Sequence, residues 1–353
     1  MTMHPKTPNS GKTQNSAELV QLRQGRVAAN TSAPDTLPER NPGMPFDVRF
    51  LDALRRVNLS GLERRASTLT KRRSIKGDNQ AAWLLRSLAL MDLTTLNSND
   101  TDERVRRLCA KALNPLSRDL RQGLGLGDTV IRPAAVCVYH PFVATAAHAL
   151  RGSGVEVAAV STAFPHGLAP LETRIREIEL SVAAGATEID VVIKRGLVFA
   201  GRWEELFEEV QAFRQACGDA HLKVILGTGD LATLRNVGLA SMVAMMAGAD
   251  FIKTSTGKES VNATLPVGLV MVRAIRAYHE ATGIRIGFKP AGGISTAKAS
   301  LDWLVLIKEE LGREWLEPDL FRFGASSLLT DIERQLEHHL TGRYSAGYRH
   351  AMA

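Results

Sequence analysis

From Leu88 onward the chain alternates between short apolar runs and longer stretches with helical spacing. Eight runs read as strands: Leu88–Thr94, Ala134–Tyr139, Glu156–Ser161, Glu188–Ile193, Leu222–Leu226, Phe251–Ser255, Ile284–Lys289 and Leu320–Gly324. Between them, Leu171, Ile175, Ile178 and Val182 step by 4, 3 and 4 along one apolar stripe, with Gly185 behind it as a cap. Trp203, Leu206, Phe207, Val210 and Phe213 form a second stripe that stops near Gly218. Similar spacing runs through 232–247, 266–281, 297–311 and 327–340. Regular strand–helix alternation predicts a parallel sheet with right-handed crossovers. Eight such units in about 250 residues are the size of a (β/α)8 barrel. The predicted fold is therefore α/β, a single (β/α)8 TIM barrel with an N-terminal extension. An open doubly wound sheet is the alternative. Against it, no G-x-G-x-x-G follows an early strand and no G-x-x-x-x-G-K-[ST] occurs.

The first 45 residues break this pattern. They are rich in Ser, Thr, Asn, Pro and Gly, and cannot bury enough apolar surface to offset ordering entropy, so disorder is expected. Residues 46–86 are amphipathic in pieces and read as a basic, partly helical extension. The barrel occupies 87–341, and 342–353 form a C-terminal tail. With 353 residues, 44% hydrophobic and 23% charged, the composition is that of a globular protein. No apolar run approaches membrane-spanning length, and the N-terminus lacks the apolar core of a secretory signal. Cys109, Cys137 and Cys217 are widely spaced, with no C-x-x-C pair, so a reducing cytoplasm is the expected compartment. Cys137, mid-strand, reads as core packing.

Charge changes the picture in two places. The net charge is +7, and between Ala53 and Arg86 nine bases stand against two acids, Glu63 and Asp78, which equals the whole excess. Such a segment can contact nucleic acid, but aromatics for base stacking are not interleaved among its bases beyond the single Trp83, and a solvated basic extension is the favoured reading. Asp302, Glu309, Glu310 and Glu314 read as a solvated helical face.

The second place is inside the predicted barrel, where alternate strand residues face the interior. If Ile189, Val191 and Ile193 face the helices, Asp190 faces in. The same rule points Asp92, Thr94, Lys223, Lys253 and Lys289 inward. Three lysines against two aspartates leave one surplus positive charge in a desolvated place. Buried charge is costly unless paired, and burial beside other cations lowers a lysine pKa. A neutral lysine is a nucleophile towards carbonyls. An isolated ion pair would read as structural, but five such groups converge, several near the C-terminal strand ends where barrel active sites lie.

Three loops add a candidate phosphate seat. Thr254-Ser255-Thr256-Gly257-Lys258 follows the sixth strand and Ala291-Gly292-Gly293 the seventh. Gly324-Ala325-Ser326-Ser327 follows the eighth and opens a helix. Glycines permit close backbone approach, and helix N-termini present free N–H groups.

Taken with these loops, Met91-Asp92-Leu93-Thr94-Thr95-Leu96-Asn97, Glu188-Ile189-Asp190-Val191-Val192, the stretch Ala249 to Lys258, Gly287-Phe288-Lys289-Pro290-Ala291-Gly292-Gly293 and Phe323-Gly324-Ala325-Ser326-Ser327-Leu328 resemble the deoxyribose-phosphate aldolases, closest to their longer, animal-type form. The resemblance spans roughly 87–341. It implies a class I aldolase without metal or cofactor, acting on 2-deoxy-D-ribose 5-phosphate. It assigns the Schiff base to Lys253, proton transfer and control of its neighbour's pKa to Lys289, and acid–base work through water to Asp190. Asp92 and Thr94 match positions near the sugar end, with Lys223 counted among the substrate-binding set. Gly257, Lys258, Gly292, Gly293, Gly324, Ser326 and Ser327 match the phosphate loops. Ser295 stands where a basic residue often follows the Gly-Gly turn. Gly227 replaces an acidic residue of bacterial relatives. Tyr344 and Tyr348 receive no role. The expected partners are a small phosphorylated sugar and, at most, a second copy in a homodimer. The competing reading is a non-catalytic barrel that binds nucleic acid or protein through its basic segment.

Overall fold

A computed structural model describes residues 40–352, except 53, 55, 56, 73 and 347. Eight strands lie parallel: β1 (Met91–Thr94), β2 (Ala135–Tyr139), β3 (Glu156–Ser161), β4 (Glu188–Val192), β5 (His221–Ile225), β6 (Phe251–Lys253), β7 (Gly287–Lys289) and β8 (Phe323–Ala325). From β1 to β7 each strand pairs with the next, and β1 also pairs with β8. Bridges at Phe288–Phe321 and Ala291–Gly324 join β7 to β8 and close the cylinder. Helices cover its outer face, so the fold is the (β/α)8 barrel.

Apolar strand residues that face outward, such as Ile189, Val191, Leu222, Val224, Ile252 and Phe288, join the helices in one continuous core. The helices occupy the stretches the spacing predicts: Leu171–Ala183, Trp203–Cys217, Leu234–Met246, Leu265–Thr282, Ala297–Glu310 and Ser327–Thr341. The strands are shorter than expected at several ends. Leu88 and Ala89 finish a helix, Gly77–Ala89, and the strand begins only at Met91. The apolar run there belongs to two elements in succession, which composition alone does not separate. Ile284–Ile286 and Leu320–Arg322 likewise approach the barrel before the regular ladder starts.

The basic segment is built into the helical layer. Helix Leu59–Arg72 buries Leu62, Ala66 and Leu69 and packs against Leu265–Thr282 and Ala297–Glu310. Its Arg65 bonds Glu310 at 2.8 Å, and Arg86 bonds Glu317 at 2.7 Å. Glu310 is therefore not part of a solvated face. It is buried, with Arg273 and Arg276 also within 3.6 Å, because the extension covers it. Ala53, Arg55, Arg56 and Arg73 lie outside the described residues.

The expectation of disorder through residue 45 also runs too far. Asn41 is buried, and its side-chain amide donates to Met245 O and Ala249 O at 2.7 and 2.9 Å. These two carbonyls lie at the C-terminal end of helix Leu234–Met246 and just beyond it, where carbonyls have no partner in the next helical turn. Residues 1–39 lie outside the described residues. Among the described residues, no helix is long and apolar enough to cross a membrane.

Candidate active site

The barrel interior has two unlike halves. Ala135 and Cys137 of β2 and Ala158 and Val160 of β3 form a small apolar wall with Leu96, topped by Tyr139 and Phe164. Cys137 is thus packed inside the barrel, and burial pushes its thiol up. The remaining strands contribute charge. Asp92, Asp190, Lys223, Lys253 and Lys289 all face in, as alternation predicts, and all are buried.

Two further charged residues share this space: Glu188, two positions before Asp190 on β4, and Arg322, just before β8. The same alternation applied one step further identifies both. Phe321 and Phe323 flank Arg322 and face outward, which turns the guanidinium inward. Among the described residues the interior therefore holds four cations and three carboxylates, and one positive charge remains in surplus.

The deeper layer lies towards the N-terminal strand ends. Arg322 Nη2 donates to Glu188 at 2.7 Å and its Nη1 to Asp92 at 2.7 Å. Lys223 bonds Glu188 and lies 3.2 Å from Asp92. Phe251 lies beneath both cations, with Lys223 Nζ and Arg322 Cζ 5.7 and 5.8 Å from its ring centre. A side chain at Gly287 would strike that ring at 2.3 Å, so glycine there lets Phe251 fill the floor. Arg322→Met strips bonds from both Glu188 and Asp92. Breaking a buried network this way is expected to destabilise the fold by about 3–5 kcal/mol. Urea unfolding measures it, and a loss under about 1 kcal/mol would contradict this account of the floor.

The upper layer is Asp190, Lys253 and Lys289. Both lysine Nζ atoms donate to the same atom, Asp190 Oδ2, at 2.7 Å each. Lys289 also pairs with Asp92. The two lysines are driven apart. Burial pushes Lys253 down, Asp190 opposes, Lys289 reinforces, and the balance is a lowered pKa. Burial also penalises charged Lys289, but Asp190 and Asp92 outweigh it and hold it cationic. Burial pushes Asp190 up, yet Lys253, Lys289 and Lys223 together hold it well below the usual carboxylate range. Asp92 is similarly raised by burial but held to about 2 by Lys223, Lys289 and Arg322. The surplus charge therefore bears on Lys253, the lysine whose pKa is lowered: loss of its proton would leave three cations facing three anions. Lys253 is also the more accessible lysine: its side chain is 4% exposed, whereas those of Lys223 and Lys289 are fully enclosed. Asp190 Oδ1 is buried and makes no hydrogen bond.

The three predicted loops meet at one corner of the open end. A side chain at Gly257 would reach Gly292 Cα at 4.0 Å, and the Ala291–Gly324 bridge brings the third loop alongside. Thr254 Oγ1 accepts from Ala291 N at 3.0 Å and stitches the first two loops together. Gly292 and Gly293 have φ of +82° and +78°, a left-handed backbone that turns two successive residues tightly. Ser326 and Ser327 are exposed at the start of helix Ser327–Thr341. Ser326 makes no side-chain cap bond, whereas Thr233, Thr264 and Thr296 cap the helices they precede. Two predicted residues stand apart from this corner. Thr94, half-buried at the end of β1, donates to Asp92 O at 2.8 Å. Lys258 extends across the barrel mouth to donate to Leu96 O at 2.9 Å.

Fold and interior charge together define the class: a (β/α)8-barrel enzyme with its polar machinery at the C-terminal strand ends. The chain belongs to the DeoC/LacD aldolase family, whose description "DeoC/LacD family aldolase" matches residues 86–331. It is 57% identical over 306 residues to the deoxyribose-phosphate aldolase of Mus musculus, covering 86% of this chain and 96% of that one. It is 56% identical over 308 residues to that of Homo sapiens, covering 87% and 96%. A crystal structure from Toxoplasma gondii ME49 superposes with a TM-score of 0.63 at 22% identity, over 76% of this chain and 98% of that one, which bears on the fold alone.

Proposed function

We propose that this enzyme cleaves 2-deoxy-D-ribose 5-phosphate reversibly to D-glyceraldehyde 3-phosphate and acetaldehyde through an imine on Lys253. The observation that carries the proposal is the pair of lysines on one oxygen of Asp190, with Lys253 the one whose pKa is lowered. A neutral amine attacks carbonyl carbon; burial and the cationic neighbour both favour that form, and the neighbour supplies a proton.

In the cleavage direction Lys253 Nζ attacks C1, and loss of water leaves a protonated imine. Asp190, acting through a water, takes the C3 hydroxyl proton. The C2–C3 electron pair moves into the imine, releasing glyceraldehyde 3-phosphate and leaving an enamine. Protonation at C2 and hydrolysis release acetaldehyde and restore Lys253. Asp92 also holds Lys289, and Lys223 holds Asp92. The glycine turns and the uncapped helix at Ser326–Ser327 supply N–H donors for the 5-phosphate.

The work fits the breakdown of deoxynucleotides in the cytoplasm, where three buried free cysteines suffer no oxidation. A binding role for the basic segment has less support, because Arg65 and Arg86 are engaged by the barrel's own glutamates. Borohydride reduction in the presence of deoxyribose 5-phosphate or acetaldehyde tests the proposal. The expected result is a stable adduct on the peptide containing Lys253. A folded protein that yields no adduct at high substrate refutes it.

A further inference from the structure

The loop after β6 is arranged in reverse for a phosphate seat: its carboxylate is in and its ammonium is out. Glu259 turns back onto the segment that precedes it. Its carboxylate accepts from Thr256 N at 3.0 Å, Gly257 N at 3.1 Å and Thr256 Oγ1 at 2.8 Å. Successive backbone N–H groups in this form make an anion-binding nest. Gly257, with φ +84°, is the residue that adjoins Gly292 at the corner where the three loops meet. Meanwhile Lys258, the adjacent cation, is spent on Leu96 O across the mouth. Among the described residues, no cation pairs with Glu259.

The rest of the loop holds this arrangement. Asn262 Nδ2 donates to Glu259 O at 2.9 Å. The Asn262 side chain lies over Gly292, where any Cβ would meet it at 2.6 Å, and its Oδ1 is buried without a partner. On the other side Val261 O presses on Gly229 so closely that a side chain there would lie at 1.9 Å. The carboxylate is thus seated by a closed loop.

We infer that Glu259 is an internal occupant of the anion seat, which the substrate's phosphate must displace, and that it sets how strongly the enzyme favours phosphorylated sugars. The inference rests on the aldolase reading for the identity of the substrate. A carboxylate and a phosphate dianion cannot share the same two N–H donors, since like charges at that distance repel. Binding then requires Glu259 to leave, and the apparent affinity falls by the fraction of molecules in which it has left. A seat free about a tenth of the time weakens binding about tenfold. The occupant also keeps the N–H groups satisfied when no phosphate is present.

The test is calorimetric titration of the full chain with inorganic phosphate, comparing wild type with Glu259→Gln and Glu259→Val. Glutamine keeps the shape and removes the charge; valine cannot enter the nest. Tighter phosphate binding in either variant, about tenfold, supports the inference. In the same variant, kcat/KM for deoxyribose 5-phosphate relative to unphosphorylated 2-deoxyribose should rise. Equal or weaker phosphate binding in both variants overturns it, and Glu259 then only braces the loop. Calorimetry needs no turnover. Its outcome is therefore separate from borohydride trapping at Lys253, on which the aldolase reading stands.

Discussion

Lys253→Met is expected to leave a folded barrel with turnover lower by about 10⁴-fold or more, the scale of loss when a covalent nucleophile is removed. Methionine keeps the length of the side chain and deletes the amine that would form the imine. The fold should not suffer. Lys253 supplies one bond to Asp190 Oδ2, and Lys289 supplies another to the same atom. Removing Lys253 also removes a buried amine whose charged form has no carboxylate of its own, and leaves three cations facing three carboxylates. Unfolding in urea should show a midpoint at or above that of wild type, while borohydride trapping is lost. Substantial turnover by a stable Lys253→Met protein would exclude Lys253 as the nucleophile.

The second large effect is expected at Lys289, and its diagnostic is pH. Lys289→Met should lower kcat by about 10²–10⁴-fold, the usual worth of a positioned proton donor. The variant loses a cation that repels the protonated form of Lys253. It also loses the competitor for Asp190, which then pairs with Lys253 alone. Both changes raise the Lys253 pKa, so the amine stays protonated to higher pH. The acidic limb of the kcat/KM profile, where activity appears as Lys253 loses its proton, should therefore move to higher pH. Part of the activity should return in alkaline solution. An acidic limb that stays in place, or moves to lower pH, would mean that Lys289 does not control its neighbour.

The two variants also separate chemistry from architecture. Lys289 bridges Asp190 and Asp92 more closely than Lys223, which lies 3.2 Å from Asp92 and 3.6 Å from Asp190. Its loss should lower stability as well as rate, in contrast to Lys253→Met. The Arg322→Met variant lies on the far side of that comparison, because Arg322 touches only the deeper layer.

Much of this site was legible from alternation in short strands. Period-two spacing alone turns Asp92, Asp190, Lys223, Lys253 and Lys289 inward, because neighbouring strand residues must point to opposite faces. Glu188 and Arg322 obey the same rule. They lie at strand starts, where the deeper layer forms. The three loops proposed to seat the phosphate are visible as glycine and hydroxyl clusters following consecutive strands. The basic segment was visible as charge, but its destination was not. That Arg65 reaches Glu310 depends on a helix crossing two others far along the chain, and neither residue has a local pattern that announces the other.

The sequence by itself determined the alternation of strands and helices, the barrel they close into, and which charged residues face its interior. Those properties depend on local periodicity and on the exclusion of unpaired polar groups from packed apolar layers. Only the tertiary structure decided how that charge is shared. Two lysines with nearly identical strand contexts differ because Lys289 reaches both Asp190 and Asp92, while Lys253 bonds Asp190 alone and retains an opening to solvent. Likewise Glu259 is an ordinary loop glutamate until the chain folds it back onto two N–H groups of its own turn. Electrostatic roles follow from distances of a few ångströms between residues far apart in the chain, and only folding sets those distances.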